Sequence, residues 1–310
     1  MYVRNVAGGV EVLTPAKLNL FLEVLSRRDD GFHEIQSLIV PINLFDHLSF
    51  REDSRGDLNL TCQWACGLEK RGRVIKPTQS PLPEWESLPE GNDNIAVRAV
   101  DLLRRRAGIT AGASLQLIKR IPTAAGLGGG SSDAAAALVA ANRAWKLDWP
   151  ADRLSQMAAE VGSDVPFFLG AQPALCEGRG ERIRRVAGTG RLDFVVVCPP
   201  EGLATADVYR QCRPATTPRS AESLIAALRI GDRRTLGGLM INRLQPTAEQ
   251  LAPTVRTVRE ELEKCDCLAA QMSGSGTACF GICRHARHTG QVASRMRFRG
   301  FGRVFAVSSL

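Results

Sequence analysis

The chain has 310 residues, of which 44% are hydrophobic and 5% aromatic, and its formal net charge is +8. A chain of this length and apolar content can bury a large core, most naturally divided between two domains. No stretch is long or apolar enough to cross a membrane, and residues 1–12 resemble neither a secretory signal nor a transit sequence, which predicts a cytoplasmic protein.

The positive charge is compatible with a nucleic-acid surface or with an enzyme whose ligands are polyanions. The few aromatic residues do not alternate with the basic ones, so a platform that stacks bases is not favoured. We interpret the basic clusters at residues 104–106 and 182–185 as solvated faces.

The first part of the chain is predicted to consist mainly of strands. Apolar runs at residues 10–13 and 18–25 predict strands, and a polar turn at 27–31 precedes an extended stretch at 34–48. Residues 61–91 contain prolines, charges and two tryptophans without a clear period, which predicts a long loop or an insertion.

The middle of the chain contains a strand between helices. Residues 94–107 have helical spacing, and Gly108 ends that helix. Residues 113–121 predict a strand, and a glycine-rich loop leads into an alanine-rich helix at 131–145. Another helix is predicted at 152–161.

The pattern changes after Gly170, and we place the domain boundary there, which predicts domains 1–175 and 176–310. The elements predicted beyond it are a strand at 191–198, a helix around Val208, helices at 221–228 and 251–265, and strands at 268–272 and 277–283.

The sharpest local signal is Gly-Leu-Gly-Gly-Gly-Ser-Ser-Asp at residues 126–133. Glycines let the backbone approach a ligand closely, and the following helix presents unpaired N–H groups and its positive end. This arrangement predicts a phosphate site, where Ser131 and Ser132 could cap the helix, touch phosphate or reach a metal ion. It fits neither a P-loop, which needs a lysine before the serines, nor a dinucleotide fingerprint. A glycine-rich turn without a ligand is the alternative.

Asp164 lies just after a predicted helix end at Gly162, and Pro166 is expected to keep the chain extended. Its carboxylate could accept a proton from a substrate hydroxyl. The alternative, favoured on this motif alone, is an aspartate that caps local backbone N–H groups.

Lys17 and Asn19 lie two residues apart on a predicted strand, so their side chains should share a face. The lysine could stabilise a developing alkoxide, or it could be an edge-strand lysine in water. Residues 273–277, Ser-Gly-Ser-Gly-Thr, could close over phosphates or form only a tight hairpin.

A zinc site at Cys279, Cys283, His285 and His288 is disfavoured, because both cysteines fall within an apolar strand pattern and no second CxxC pair is present. The nine cysteines are expected to be reduced thiols that pack as small apolar side chains.

Together, residues 15–20, 121–136 and 273–277 resemble the three motifs of the superfamily of galactokinase, homoserine kinase, mevalonate kinase and phosphomevalonate kinase. The resemblance implies an α+β, two-domain small-molecule kinase fold. Its N-terminal domain would be ribosomal-protein-S5-like, its C-terminal domain a ferredoxin-like α/β sandwich, and its active site would lie in the interdomain cleft. Residues 14–22 and 30–37 narrow the resemblance to the branch that uses ATP to phosphorylate the 2-hydroxyl of a cytidine diphosphate derivative of methylerythritol.

The resemblance also implies roles for particular residues. Asp164 matches the catalytic aspartate and Lys17 its partner lysine, which would keep the carboxylate ionised. The positions that match ATP contacts are Asn94, at the adenine end, and Pro122, Ala125, Gly126, Leu127, Gly128, Gly129, Gly130, Ser131 and Ser132. The positions that match substrate contacts are Asn19, Phe32, His33, Thr205 and Tyr209.

Within that substrate set, Phe32 and Tyr209 would sandwich the cytosine ring, and His33 would supply a donor and an acceptor to its edge. A kinase for homoserine or mevalonate is disfavoured, because those substrates have no base. Phe32 replaces a tyrosine that is common in the family. Asp133 stands where asparagine is also used, which adds a negative charge near the phosphates that Mg²⁺ could offset.

Mg²⁺ is expected to bridge the ATP phosphates, although no side chain is assigned to it. We expect no nucleic-acid or membrane partner, and a monomer or a homodimer. A non-catalytic relative of the kinases is disfavoured because Lys17, Asp164 and the glycine-rich loop are all present.

Overall fold

The computed structural model describes residues 1–66, 88 and 91–310. Residues 67–87 and 89–90 of the predicted insertion therefore lie outside the described residues. The strands are β1 (Tyr2–Val6), β2 (Gly9–Arg27), β3 (His33–Asp53), β4 (Leu58–Trp64), β5 (Gly112–Lys119), β6 (Ala174–Gly178), β7 (Arg182–Arg185), β8 (Asp193–Cys198), β9 (Ile241–Asn242), β10 (Ala269–Met272), β11 (Cys279–Cys283) and β12 (Arg303–Ser308). The helices are α1 (Ile95–Ala107), α2 (Gly129–Ala144), α3 (Ala151–Val161), α4 (Val165–Gly170), α5 (Thr205–Gln211), α6 (Glu222–Arg229), α7 (Leu236–Leu239), α8 (Gln245–Leu251), α9 (Thr254–Glu263) and α10 (Ala286–Arg299).

The chain forms two compact units, and each is built from segments that are distant in sequence. The first unit consists of Met1–Ala16, Leu44–Pro122 and Gly128–Ala171. The second unit consists of Lys17–Asn43, Thr123–Leu127 and Gln172–Leu310.

In the first unit, strands pack with a group of helices. The end of β3 pairs with β5 in antiparallel register, and β4 pairs with β5 in parallel register. Asn94 caps the N-terminus of helix α1, where its Oδ1 accepts from the backbone N–H of Ala96 (2.9 Å), and Gly108, where φ is 66°, caps its C-terminus. Helix α2 is rich in buried alanines, so α1 can pack closely against it.

In the second unit, a four-stranded antiparallel sheet has the order β10-β11-β8-β12. Helices α9 and α10 cover this sheet, and the shared core includes Val195, Val197, Val258, Met272 and Val292. Beside it, the start of β3 pairs with β6, and β2 pairs with β9. The predicted strands and helices of this half are confirmed, except that residues 251–253 precede α9.

Two predictions about local structure are wrong. Residues 61–64 are not loop but the end of β4, where exposure alternates along the strand and a period of two was present from Leu58 onward. Pro166 does not keep the chain extended, because it lies in the first turn of α4. Proline is tolerated there since its missing N–H would have no helical partner.

The strands predicted at residues 10–13 and 18–25 form the single strand β2, in which the intervening residues are buried as well. All nine cysteines are free thiols, and Cys279 and Cys283 are buried in β11 as the apolar pattern predicts. In the part of the chain that the structure describes, no helix is long and apolar enough to span a bilayer.

Candidate active site

Parts of all three motifs that the sequence singled out come together within the second unit. The backbone N–H of Lys17 donates to the carbonyl of Leu127 at 3.0 Å. The hydroxyl of Ser273 donates to the carbonyl of Gly126, also at 3.0 Å. The β10–β11 turn is therefore a hairpin that also holds the glycine-rich loop in place.

This contact requires glycine at two positions. Gly126 has a φ of 75°, and a Cβ atom there would lie 2.1 Å from the carbonyl oxygen of Ser273. A Cβ at Gly274 would lie 2.9 Å from the carbonyl of Gly126 and 3.0 Å from the ammonium nitrogen of Lys17. The backbones of the glycine-rich loop and of the β10–β11 turn therefore approach each other too closely for a side chain at either glycine. The Lys17 ammonium lies beside this contact.

Lys17 is buried, with only 3% of its surface exposed, so the alternative of an edge-strand lysine in water is wrong. Its ammonium donates to Oδ1 of Asn19, which confirms that the two side chains share a face. The amide nitrogen of Asn19 donates to Ser37 (2.8 Å), whose hydroxyl donates to the carbonyl of Phe21 (2.8 Å). This chain of bonds fixes the Asn19 amide with its oxygen toward the lysine.

In the first unit, the predicted alanine-rich helix is present as α2, but it begins at Gly129, ahead of the predicted start at Ser131. Gly128 precedes the helix with a φ of 72°, so the loop ends in a left-handed residue. The hydroxyl of Ser132 donates to the carbonyl of Pro15 (2.6 Å), and the hydroxyl of Thr14 donates to the carbonyl of Ser132 (3.0 Å). Ser132 is thus fully buried and tied to β2, whereas Ser131 is half-buried.

The other predicted ATP positions flank this loop. Pro122, Ala125 and Leu127 are buried, and Gly130 is exposed. Asn94 is buried as well, and its amide oxygen caps α1.

Asp164 lies at the N-terminus of α4 and is half-buried. Its side chain makes no capping hydrogen bond to α4, and the choice between a proton acceptor and a cap of other local backbone N–H groups stays a prediction. Asp164 belongs to the first unit and Lys17 to the second, so their pairing stays a prediction.

The predicted base-binding residues lie in the second unit. Phe32 is 48% exposed, and the Arg179 guanidinium lies 4.8 Å from its ring centroid. The rings of His33 and Tyr209 are in contact, with centroids 5.3 Å apart and tilted by 37°. Burial and the nearby Arg27 lower the pKa of His33 below its usual 6.5, so the imidazole is neutral at pH 7. A neutral imidazole has one donor and one acceptor, as recognition of a base edge requires.

Thr205 connects this region to the third motif. It begins α5, and its hydroxyl lies 2.9 Å from the hydroxyl of Ser275 in the β10–β11 turn.

Sequence reasoning missed two buried ion-pair networks. In the first unit, the Lys119 ammonium contacts the carboxylates of Asp46 and Asp133. In the second unit, Glu23 is bound by Nε and Nη2 of Arg243 at 2.7 and 2.9 Å. A signal was present for the first network, because Lys119 and Asp46 are charged but lie in phase with the buried apolar positions of β5 and β3. Glu23 gave no such signal, because it alternates with the apolar positions of β2 and shares its phase with Lys17 and Asn19.

The fold and these motifs define a class of small-molecule kinases. The family model described as GHMP kinases N terminal domain matches residues 94–171, and the model described as GHMP kinases C terminal matches residues 224–301. A crystal structure of homoserine kinase from Cytophaga hutchinsonii has the same fold, with a TM-score of 0.70, 17% identity, and coverage of 100% of this chain and 97% of that chain.

Proteins with higher sequence identity to this chain indicate a particular family within this class. A solved structure of 4-(cytidine 5'-diphospho)-2C-methyl-D-erythritol kinase matches with a TM-score of 0.75 and 32% identity, over 96% of this chain and 98% of that chain. The 4-diphosphocytidyl-2-C-methyl-D-erythritol kinase of Pelotomaculum thermopropionicum is 38% identical over 93% of this chain and 94% of its own length. The enzyme of that name from a Synechococcus species is 38% identical over 94% of both chains. The chain belongs to the 4-diphosphocytidyl-2-C-methyl-D-erythritol kinase family. The predictions of the family and of a two-domain α+β kinase fold are confirmed.

Proposed function

We propose that the chain transfers the γ-phosphate of ATP to the 2-hydroxyl of 4-diphosphocytidyl-2-C-methyl-D-erythritol, a step of non-mevalonate isoprenoid precursor biosynthesis. The relatives that match nearly the whole chain carry the name of this kinase. The observation that carries the proposal is the meeting of Lys17, the glycine-rich loop and the β10–β11 turn in one compact unit.

In this reaction Asp164 accepts the proton of the 2-hydroxyl, and the oxygen then attacks the γ-phosphorus as the bond to the β-phosphate oxygen breaks. Lys17 stabilises the negative charge that develops on the attacking oxygen, and Asn19 orients the ammonium. The base contributes moderately, because phosphoryl transfer depends chiefly on position and on neutralising charge.

ATP is proposed to bind with its phosphates on the loop and on the first turn of α2, where left-handed glycines turn the backbone toward the ligand. The residues assigned to it are Asn94, Pro122, Ala125, Gly126, Leu127, Gly128, Gly129, Gly130, Ser131 and Ser132. Mg²⁺ bound to the phosphate oxygens would neutralise their charge, and we assign no side chain to it.

The cytosine is proposed to stack on Phe32 and Tyr209 while His33 reads its edge. The exposed ring of Phe32 and the neutral imidazole of His33 support this assignment. Homoserine and mevalonate have no base and would leave these groups unused. We further propose a cytoplasmic enzyme that is a monomer or a homodimer.

The test is to measure ADP formation by the purified protein with ATP and Mg²⁺, in parallel with the cytidylyl substrate, homoserine and mevalonate. We expect turnover with the cytidylyl substrate alone. The variant Asp164→Asn should lower kcat by about 10²–10⁴-fold, the usual contribution of a general base. Glu160→Gln, a change to an exposed carboxylate of the same unit, is the matched control.

Turnover with homoserine or mevalonate instead would keep the kinase reaction and overturn the substrate. Failure to turn over any of the three, in protein that unfolds cooperatively, would overturn the proposed function. An unchanged kcat in Asp164→Asn would overturn the role of Asp164 alone.

A further inference from the structure

A buried ion-pair network, which we call the Lys119 clasp, consists of Lys119, Asp46 and Asp133. The Lys119 ammonium contacts Oδ2 of both aspartates. The side chains are 3%, 0% and 4% exposed in that order, so water contributes little to their solvation. Buried charges of this kind are costly unless they are paired, and the pairing must therefore be kept in the folded protein.

The clasp joins the two ends of the glycine-rich loop. Lys119 is the last residue of β5, from which the chain enters the loop, and Asp133 lies in the helix with which the loop ends. Oδ1 of Asp46 also accepts from the backbone N–H of Ile121 at 2.9 Å. Asp46 thus holds the entry to the loop and Asp133 its exit, and Lys119 connects them.

The first turn of α2 lies directly on the clasp. A Cβ atom at Gly129 would be 3.3 Å from the Lys119 ammonium and 3.0 Å from a methyl group of Ile121. Glycine at this position lets the helix start sit against the lysine, so a shift of the lysine would shift the N–H groups of that turn.

Asp133 and Asp46 differ in how fully their carboxylate oxygens are hydrogen-bonded. Asp46 accepts two backbone N–H groups in addition to Lys119, whereas Oδ1 of Asp133 is buried without a hydrogen-bond partner among the described residues. Burial and the nearby Asp46 carboxylate raise the pKa of Asp133, and Lys119 only partly opposes them. An uncharged side chain of the same shape should therefore serve at this position.

We propose that Asp133, through Lys119, is a positioning residue that sets the first turn of α2 for the phosphates of ATP. The inference rests on the proposed binding of ATP at the glycine-rich loop. Asp133 does not touch the reacting atoms; it fixes the helix start from which the backbone N–H groups donate.

The test compares Asp133→Ala with Asp133→Asn in the full chain. Binding of a non-hydrolysable ATP analogue with Mg²⁺ is measured by calorimetry, and steady-state kinetics give KM and kcat. Asp133→Ala leaves the Lys119–Asp46 pair intact and should still fold. We expect it to weaken analogue binding and raise the ATP KM by about tenfold, because small displacements of positioning groups are expensive. The KM for the cytidylyl substrate should not change.

Asp133→Asn keeps an oxygen for Lys119 and should restore binding to within about twofold of the parent. Amide hydrogen exchange of residues 129–133 should be faster in the Ala variant and normal in the Asn variant. Arg104→Met is the control for general destabilisation, because it removes contacts to Gly56 and Asp101 in the same unit. It should lower the melting temperature without changing the affinity for the analogue.

Parent-like analogue binding in Asp133→Ala would overturn the inference, and so would an equal loss of affinity in Arg104→Met. A failure of the Asn variant to restore binding would also contradict it. If the parent protein itself bound no ATP analogue, the proposed function would fail instead, so the two failures are distinguishable.

Discussion

Lys17 is held in place before any substrate arrives. Its ammonium donates to Asn19, and the β10–β11 turn is packed against it so closely that Gly274 cannot carry a side chain. A positioned donor of this kind acts on charge that develops during the reaction rather than on ground-state binding.

Lys17→Met should therefore lower kcat by about 10²–10³-fold, the usual effect of losing one oxyanion donor. The KM values for ATP and for the alcohol should change little. Steady-state kinetics at saturating ATP provide the measurement, and Lys264→Met, a change to an exposed lysine of the second unit, is the control. A kcat that stays within a few-fold of the parent would remove Lys17 from the chemistry.

Glu23 makes the stability of the second unit depend on pH. Burial alone would raise the pKa of Glu23, but the Arg243 guanidinium and the backbone N–H groups of Arg219 and Val24 together lower it below its usual 4.5. A carboxylate with a lowered pKa stabilises the folded state above its unfolded pKa, and this stabilisation is lost as the pH falls through the folded pKa.

We expect Glu23→Gln to lower the free energy of unfolding at pH 7 by about 1–3 kcal/mol, because it weakens charge-assisted hydrogen bonds. The difference from the parent should shrink as the pH falls below 4.5. Urea unfolding at several pH values measures both quantities. Glu11→Gln, which alters an exposed pair with Arg4, should have little effect. A difference that grows at low pH would contradict the account.

The sequence predicted the relation between Lys17 and Asn19 because the period of a strand is a local property. It did not predict the Lys119 clasp, because Asp46 is 73 residues from Lys119 and no local pattern encodes that contact. The local signs of it were a charged residue in the buried phase of β5 and another, Asp46, in the buried phase of β3.

At the scale of structural elements, the glycine-rich loop depends on close contact with the β10–β11 turn. Gly126 combines a φ of 75° with a Cβ position that lies 2.1 Å from a backbone oxygen. Gly8 has nearly the same φ, 73°, but nothing lies within 4 Å of its Cβ position. The two glycines therefore separate the cost of the backbone conformation from the cost of the contact.

Gly8→Ala should lower the free energy of unfolding by about 1–2 kcal/mol, the cost of a left-handed residue. Gly126→Ala should lower the free energy of unfolding by the same amount and by about 1–3 kcal/mol more, because its methyl group would overpack the contact. It should also raise the ATP KM. Chemical denaturation and kinetics of both variants provide the comparison. Equal losses of stability in the two variants, with unchanged ATP KM, would show that the contact between loop and turn is unimportant.

The elements around the loop were predictable because their signals are local. Gly108 ends α1, Asn94 caps it, and the alanine-rich run forms α2. Pro166 was misinterpreted because proline is equally compatible with an extended segment and with the first turn of a helix, and the following residues decide between them.

At the scale of the whole molecule, each compact unit is assembled from stretches that are separated in the sequence. Residues 17–43 cluster with residues 172–310, because β3 pairs with β6 and β2 pairs with β9. Strand pairings between residues so far apart in sequence leave no local signal. A domain boundary predicted from composition can therefore divide the chain only once, into two continuous segments. The boundary near residue 175 stays a prediction.

The net charge of +8 leads to a prediction about partners. Several arginines are already paired with carboxylates, as at Arg184, Arg256 and Arg299, so we expect no continuous phosphate-binding surface. Labelled random RNA should bind with a Kd weaker than about 10⁻⁴ M at physiological salt. Tight binding with a steep dependence on salt would instead indicate that nucleic acid is a partner.

The central claim is that a phosphate is transferred from ATP to one particular hydroxyl. The most direct measurement is NMR of the product formed from ATP and ¹³C-labelled cytidylyl-methylerythritol, read through phosphorus–carbon coupling. The account predicts one new phosphate ester, on the 2-hydroxyl, formed in equal amount with ADP. A phosphate on another hydroxyl, or release of inorganic phosphate without an ester, would contradict it.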